Sequence, residues 1–195
     1  DMVVNLAAEV GVGQSMYEIT RYMNANTGGT AVLLELLASG KFNVNRMVVA
    51  SSMSVYGEGL YVCEEHGELS PDQRSEEQLK AHKWDVICPD CGQELKPIAT
   101  KETKKLSPSS IYAISKLDQE SMSINIGRAY GIATVALRLF NAFGPRQALS
   151  NPYTGVAAIF SSRLLNNQTP MVFEDSLQRR DFVHVQDVAR AFVAA

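Results

Sequence analysis

The chain has 195 residues, 46% of them apolar and 20% charged, an ordinary globular composition and enough for a folded unit with its own core. Its formal net charge of −3 gives no general attraction to nucleic acid or an anionic membrane, so a phosphate-bearing ligand must be held by local donors. No apolar run approaches the roughly 20 residues needed to cross a bilayer, and Asp1-Met2-Val3-Val4 has no basic leader, so a cytoplasmic protein with neither membrane nor nucleic-acid partners is expected.

Met2 to Leu6 is a short apolar run ending in Ala7-Ala8, read as a parallel-sheet strand. Ser15 to Tyr22 and Asn26 to Ser39 follow as helices, the second stopped by Gly40. Met47 to Ala50 is a second buried strand leading into Ser51-Ser52. Residues 61–105 differ in character: they are polar and carry all three cysteines, two of the three histidines and the only Trp, which marks an insertion. Ser107-Pro108 is expected to open a helix running to about Gly127, with the proline in its first turn. Thr134 to Leu139 reads as a strand, Gly144-Pro145 as a loop, Val156 to Leu165 as an amphipathic helix, Met171 to Phe173 as a short strand and Val185 onward as a helix start. Strands alternating with helices predict an α/β class with a parallel sheet. The first residues already read as strand and Ala191 to Ala195 stop within a helical pattern, so the sequence is expected to be a piece of a longer one.

Cys63, Cys88 and Cys91 are an odd, clustered set, which favours metal over disulfides. With His66 they form a Cys-x₂-His and a Cys-x₂-Cys pair. Cys88-Pro89-Asp90-Cys91-Gly92 is a tight turn of the kind whose amides point at thiolate sulfur. Three thiolates and one imidazole meet the tetrahedral demand of a closed structural zinc site, and His82 is the second candidate for the fourth ligand. The plain alternative is three free cysteines and a surface histidine.

Tyr112 and Lys116 stand four apart on the long helix, which puts phenol and ammonium on one face. A nearby ammonium favours the phenolate and is expected to lower a pKa normally about 10. Such a phenolate can take a proton from a sugar hydroxyl while hydride leaves the same carbon. Ser52, at the carboxyl end of a strand, is placed to bond the substrate oxygen.

Five further segments give that pair a context. Asn5-Leu6-Ala7-Ala8, Asn26-Thr27-Gly28-Gly29-Thr30, Ser51-Ser52-Met53-Ser54-Val55-Tyr56-Gly57, Leu139-Phe140-Asn141-Ala142-Phe143-Gly144-Pro145 and Arg180-Asp181-Phe182-Val183-His184-Val185 resemble, in order, the motifs of the extended short-chain dehydrogenase/reductase family. The resemblance spans nearly the whole chain and implies a Rossmann-like doubly wound parallel sheet carrying a small zinc-ribbon-like insertion. It divides the chain into a partial dinucleotide-binding domain (1–60 and 106–150), the Cys-containing insertion (61–105) and part of a sugar-nucleotide-binding region (151–195). The family's Gly-x-x-Gly-x-x-Gly loop is not in this sequence, and the N-terminal strands of the fold would precede Asp1.

By position, the resemblance makes Tyr112 the base, Lys116 its activator and Ser52 the donor to substrate oxygen. It places NAD against Leu6, Ala7, Ala8, Asn26, Tyr112, Lys116 and Phe140, and a nucleotide-sugar substrate against Ser54, Asn141, Phe173 and Arg180. His184 is expected to be structural. A homodimer is implied. Dehydratases of the family carry an Asp-Glu pair before Val-Tyr-Gly and decarboxylases keep a Glu there. Met53 and Ser54 occupy those positions here, which disfavours both activities. What remains is an isomerase: a nucleotide-sugar 4-epimerase that oxidises C4 transiently with bound NAD. Asn151 to Val156 and the cysteine-bearing insertion resemble the dTDP-L-rhamnose 4-epimerase type, with the UDP-glucose type the nearest neighbour. An NAD(P)H-dependent keto-sugar reductase and a zinc-ribbon docking module are the alternatives.

Overall fold

A computed structural model of the chain describes residues 1–148 and 155–195. In order the elements are β1 (Met2–Asn5), α1 (Val12–Ser15), α2 (Ile19–Tyr22), a π-helical turn (Met23–Gly28), α3 (Gly29–Ala38), β2 (Arg46–Ser52) and a 3₁₀ turn (Met53–Tyr56). Then come β3 (Leu60–Cys63), β4 (Gly67–Leu69), α4 (Glu76–Lys80), β5 (Lys96–Ile98), α5 (Ile111–Tyr130) and β6 (Ala133–Leu139). The chain ends with β7 (Asn141–Phe143), α6 (Val156–Leu165), β8 (Phe182–His184) and α7 (Val185–Ala194).

The apolar run of β2 forms the middle strand of a parallel sheet ordered β1-β2-β6, as expected for strands separated by helices. The register pairs Asn5 with Val49 and Ser52 with Leu139. Leu34 and Leu37 of α3 pack with Met47, Val49 and Ile132, and Met122 and Ile126 of α5 close the same core. Each such side chain removed from water contributes roughly 1.5–3 kcal/mol. This α/β arrangement with a parallel sheet is the expected class.

The helix boundaries differ from expectation in three places. The helices foreseen at 15–22 and 26–39 are two short helices and then one continuous run, because the π turn carries α2 directly into α3. The long helix opens at Ser110 rather than at Pro108: the Ser110 hydroxyl accepts from the Ala113 amide at 3.1 Å, capping the first turn. The helix runs past Gly127 to Gly131, whose left-handed φ of 72° ends it. Gly127 is instead a packing glycine, since a Cβ there would lie 2.1 Å from Thr134 Oγ1.

Residues 60–98 form a second, antiparallel sheet ordered β4-β3-β5. The chain departs and returns at neighbouring points: Gly57, at φ +70°, packs so closely on Ser107 that a Cβ would sit 2.2 Å from its carbonyl oxygen. The Ser107 amide donates to the Val55 carbonyl at 3.0 Å. A small parallel pair, β7 with β8, lies beyond β6. The strand expected at Met171 to Phe173 does not form. These residues are exposed loop, and among the described residues no strand lies beside them to complete a ladder. The segment Asn151 to Thr154, part of the resemblance noted above, lies outside the described residues. No described helix is long and apolar enough to cross a membrane.

Candidate active site

The carboxyl ends of β1, β2 and β6 meet the first turns of α5, where ligands bind in open α/β sheets. Ser52 ends β2 and caps the following 3₁₀ turn. It is 8% exposed, and its oxygen accepts from the Ser54 amide at 3.2 Å and the Ser54 hydroxyl at 2.8 Å. Tyr112 lies close enough to Ser52 for the serine hydroxyl to act on its phenol. Burial raises the Tyr112 pKa above its ordinary value, while the nearby Ser52 hydroxyl pulls the other way. The Tyr112 amide donates to Ser15 Oγ at 3.0 Å, and its ring stands edge-on to Tyr22 with centroids 6.4 Å apart.

Lys116 lies one turn along α5 at 4% exposure, and burial lowers its pKa to about 8. Its Nζ donates to Gln119 Oε1 at 2.7 Å. The expected lowering of the Tyr112 pKa by Lys116 is not seen: burial raises it, and the Lys116 ammonium is turned to Gln119. Gln119 is the hub of a buried polar ladder that the sequence reading missed. Its Nε2 donates to Thr30 Oγ1 at 2.7 Å and to the Ala7 carbonyl at 3.2 Å. Asn5 Oδ1 accepts from the Ala7 amide at 3.2 Å. The ladder therefore fixes the loop after β1, where Leu6 and Ala7 are exposed. The available signal was a run of polar residues on the buried face of α5: Ser115, Lys116, Gln119, Glu120 and Ser123.

Asn26 is fully buried, and its carboxamide is engaged. Oδ1 accepts from the Glu9 amide at 2.8 Å, and Nδ2 donates to the Glu9 carbonyl at 3.1 Å and to Ser115 Oγ at 2.9 Å. These bonds tie the loop after β1 to α5. A second missed network lies beneath β2. Ser51 Oγ donates to Glu120 Oε2 at 2.6 Å, and Glu120 forms an ion pair with Arg138 at 2.6 Å. Arg138 also donates to the Tyr56 hydroxyl at 3.0 Å.

Phe140 follows β6 directly and is half-buried. Asn141 reaches the turn after Ser52, with Nδ2 3.7 Å from Met53 Sδ and donating to the Asp181 carbonyl at 3.0 Å. Phe173 and Arg180 stand apart on the exposed loop before β8, Phe173 at 67% exposure. His184 is structural, as expected: its Nδ1 accepts from the Gln186 amide at 3.3 Å and caps α7.

The ligand atoms of Cys63, His66, Cys88 and Cys91 all lie within 4.8 Å of one another. His66 Nδ1 is 3.5 Å from both Cys63 Sγ and Cys88 Sγ, and Cys63 Sγ is 3.6 Å from Cys91 Sγ. Tetrahedral zinc with Zn–S about 2.3 Å and Zn–N about 2.0–2.1 Å needs S···S near 3.8 Å and S···N near 3.6 Å. The Cys88 carbonyl accepts from the Gly92 amide at 2.9 Å, closing the turn. The backbone amide of His66 is the largest influence holding the Cys63 thiol down to about 6. His82 packs edge-on against Trp84 and is not in the cluster.

The family model described as NAD dependent epimerase/dehydratase family matches residues 1–83 and 87–195. The chain belongs to the NAD dependent epimerase/dehydratase family. It is 36% identical over 198 residues to a dTDP-L-rhamnose 4-epimerase of Burkholderia thailandensis, covering 100% of this chain and 52% of that protein. A crystal structure of UDP-glucose 4-epimerase from Thermotoga maritima with UDP-glucose superposes with a TM-score of 0.73 at 30% identity, over 98% of this chain and 50% of the other. UDP-glucuronic acid 4-epimerase from Bacillus cereus, in complex with UDP-glucuronic acid and NAD, gives 0.72 at 25% identity, over 100% and 48%. The chain spans about half the length of the curated epimerases it matches. The Rossmann-like fold expected from the sequence is that of these epimerase/dehydratase relatives.

Proposed function

We propose that the protein carrying this chain is an NAD-dependent nucleotide-sugar 4-epimerase. The observation that carries the reading is the approach of Tyr112 to Ser52 at the carboxyl end of β2, with Lys116 one turn along α5 and with Met53 and Ser54 in the adjoining turn where related dehydratases and decarboxylases hold carboxylates. Tyr112 takes the proton of the C4 hydroxyl, and Ser52 bonds the oxygen as it gains negative charge. One carbon is oxidised and reduced at the same place, so no second acid or base is needed.

The chain's residues fit one wall of a dinucleotide site. Leu6, Ala7 and Ala8 line the held loop, and Gln119 is the one described acceptor of Lys116 Nζ, which keeps donor capacity for a ligand hydroxyl. Phe140 flanks the same end of the sheet. Bound NAD would supply the hydride acceptor and donor. A cationic Lys116 reoriented toward the ligand would then favour the Tyr112 phenolate, against the effect of burial. Ser54, Asn141, Phe173 and Arg180 are read as holding the nucleotide sugar, Arg180 and Asn141 on the diphosphate and Phe173 on the base.

Cys63, His66, Cys88 and Cys91 are read as a structural zinc site. The four ligands match a closed tetrahedron in type and separation, which leaves no position for water. The 36% identical relative is a dTDP-L-rhamnose 4-epimerase, which favours a dTDP-6-deoxyhexose over a UDP-hexose. Incubating the protein with dTDP-L-rhamnose or UDP-glucose and no added cofactor should give the C4 epimer, followed by NMR. Conversion only when NAD(P)H is supplied in proportion to product would make it a reductase instead.

A further inference from the structure

The insertion touches the chain far from its own base. Arg74, between β4 and α4, forms a two-pronged ion pair with Glu174, 100 residues away: NH1 to Oε2 at 2.9 Å and NH2 to Oε1 at 3.0 Å. Both side chains are about four-fifths shielded from solvent. Arg74 is itself braced, since its NH1 also donates to the Trp84 carbonyl at 2.9 Å. On the other side, Glu174 sits in a left-handed conformation with φ 56°, which a non-glycine residue adopts only when its surroundings impose it. It directly follows Phe173 in the irregular loop that ends at Arg180. Gln178 of the same loop lies near enough to help Arg74 hold the Glu174 carboxyl below its ordinary pKa.

We infer that Arg74 and Glu174 are positioning residues: through their paired hydrogen bonds the ribbon insertion holds the 173–180 loop in the conformation that presents Phe173 and Arg180 to the nucleoside diphosphate. This rests on the reading of Phe173 and Arg180 as nucleotide-binding residues. The loop has no strand of its own and exposes Met171, Val172, Phe173 and Leu177, so little apolar burial fixes it. Bidentate arginine–carboxylate pairing supplies the direction that burial does not. Arg180 is near enough for its charge to act on Glu174 and on Tyr61 of β3, so loop and ribbon share one electrostatic neighbourhood. Substrate preference then depends on a segment outside the sheet.

A loop held in its competent conformation only one-fifth of the time weakens apparent affinity about fivefold. The probes are UDP and dTDP, titrated calorimetrically into the zinc-loaded protein that carries this chain, with deuterium uptake followed over 173–180. Arg74→Ala and Glu174→Ala should each raise the Kd about fivefold and speed exchange in that loop, with the melting temperature unchanged. Arg74→Lys, which keeps the charge but not the two-pronged geometry, should give a partial loss. Arg180→Ala is the control for the underlying reading. If Arg180→Ala weakens binding and the Arg74 and Glu174 variants do not, the inference is overturned and the reading stands. If neither nucleotide binds, or Arg180→Ala and Phe173→Ala bind as well as the unaltered protein, the reading falls and the inference with it.

Discussion

The sheet region and the ribbon insertion are held together in different ways. Around β2 the interior is apolar, with Met47, Val48 and Val49 almost wholly out of water, and its cleft end carries the Asn5, Thr30 and Gln119 ladder. The ribbon has strands of three and four residues, and the buried centre of its cluster is Cys63, Val86, Cys88 and Leu95. Two of those four are candidate metal ligands. A core that small cannot offset the conformational entropy of about 40 ordered residues by burial. The contrast locates the vulnerability of each region: the sheet to cavities and unpaired polar groups and, on the zinc reading, the ribbon to loss of one ion.

The largest expected effect is therefore on the ribbon. Structural zinc binds peptides of this size with roughly 10–16 kcal/mol, nearly all of it folding free energy. Elemental analysis should give about one zinc per chain for the unaltered protein and none for the double variant Cys88→Ser/Cys91→Ser. The double variant should also lose amide protection across 61–105 while 46–52 and 133–139 stay protected. Equal protection in both proteins would mean the ribbon folds without metal and the contrast is false.

The next two effects concern the cleft. Tyr112→Phe should lower kcat by roughly 10²–10⁴ and leave nucleotide affinity nearly unchanged, since the phenol acts in proton transfer. Steady-state kinetics beside calorimetric titration with UDP separate the two, and undiminished turnover would remove Tyr112 from the chemistry. Ser52→Ala should remain measurable, with a loss of roughly 2–4 kcal/mol in transition-state stabilisation. Unchanged rates would point to Ser51 or Ser54, and Ser51 is already committed to Glu120.

The smallest effect is electrostatic. Burial disfavours the Lys116 ammonium, so between about 8 and its ordinary 10.5 the folded chain binds fewer protons than the unfolded one. Stability should rise with pH across that window by at most about 1.4 kcal/mol per unit, and the penalty is present in full below about 8. Denaturant melts of the unaltered chain and Lys116→Met should show the rise only in the former. Parallel profiles would mean that Lys116 is better solvated than its burial indicates.

Much of this was legible in the sequence because it is local. The strands at 2–6 and 47–50, the Ser52 turn, the Tyr112–Lys116 face and the two x₂ ligand pairs all depend on short spacings, and the four ligands do converge. What was not legible depends on partners far apart in the chain. Gln119 meets Ala7 across 112 positions and Arg74 meets Glu174 across 100, and no periodicity signals either. Asn26 likewise meets Glu9 across 17 positions and Ser115 across 89. The strand expected at 171–173 failed because apolar residues alone make no ladder without a neighbour.

The central claim is that Tyr112 and Ser52 serve a C4 oxidation whose hydride never leaves the site. The most direct measurement is turnover of substrate deuterated at C4, dTDP-L-rhamnose or UDP-glucose, with unlabelled NADH added to the solution. The account predicts that the C4 epimer keeps its deuterium at C4 with no wash-out into solvent or the free cofactor pool. Epimer that has lost its label to either pool, or product labelled from added NADH, would contradict it.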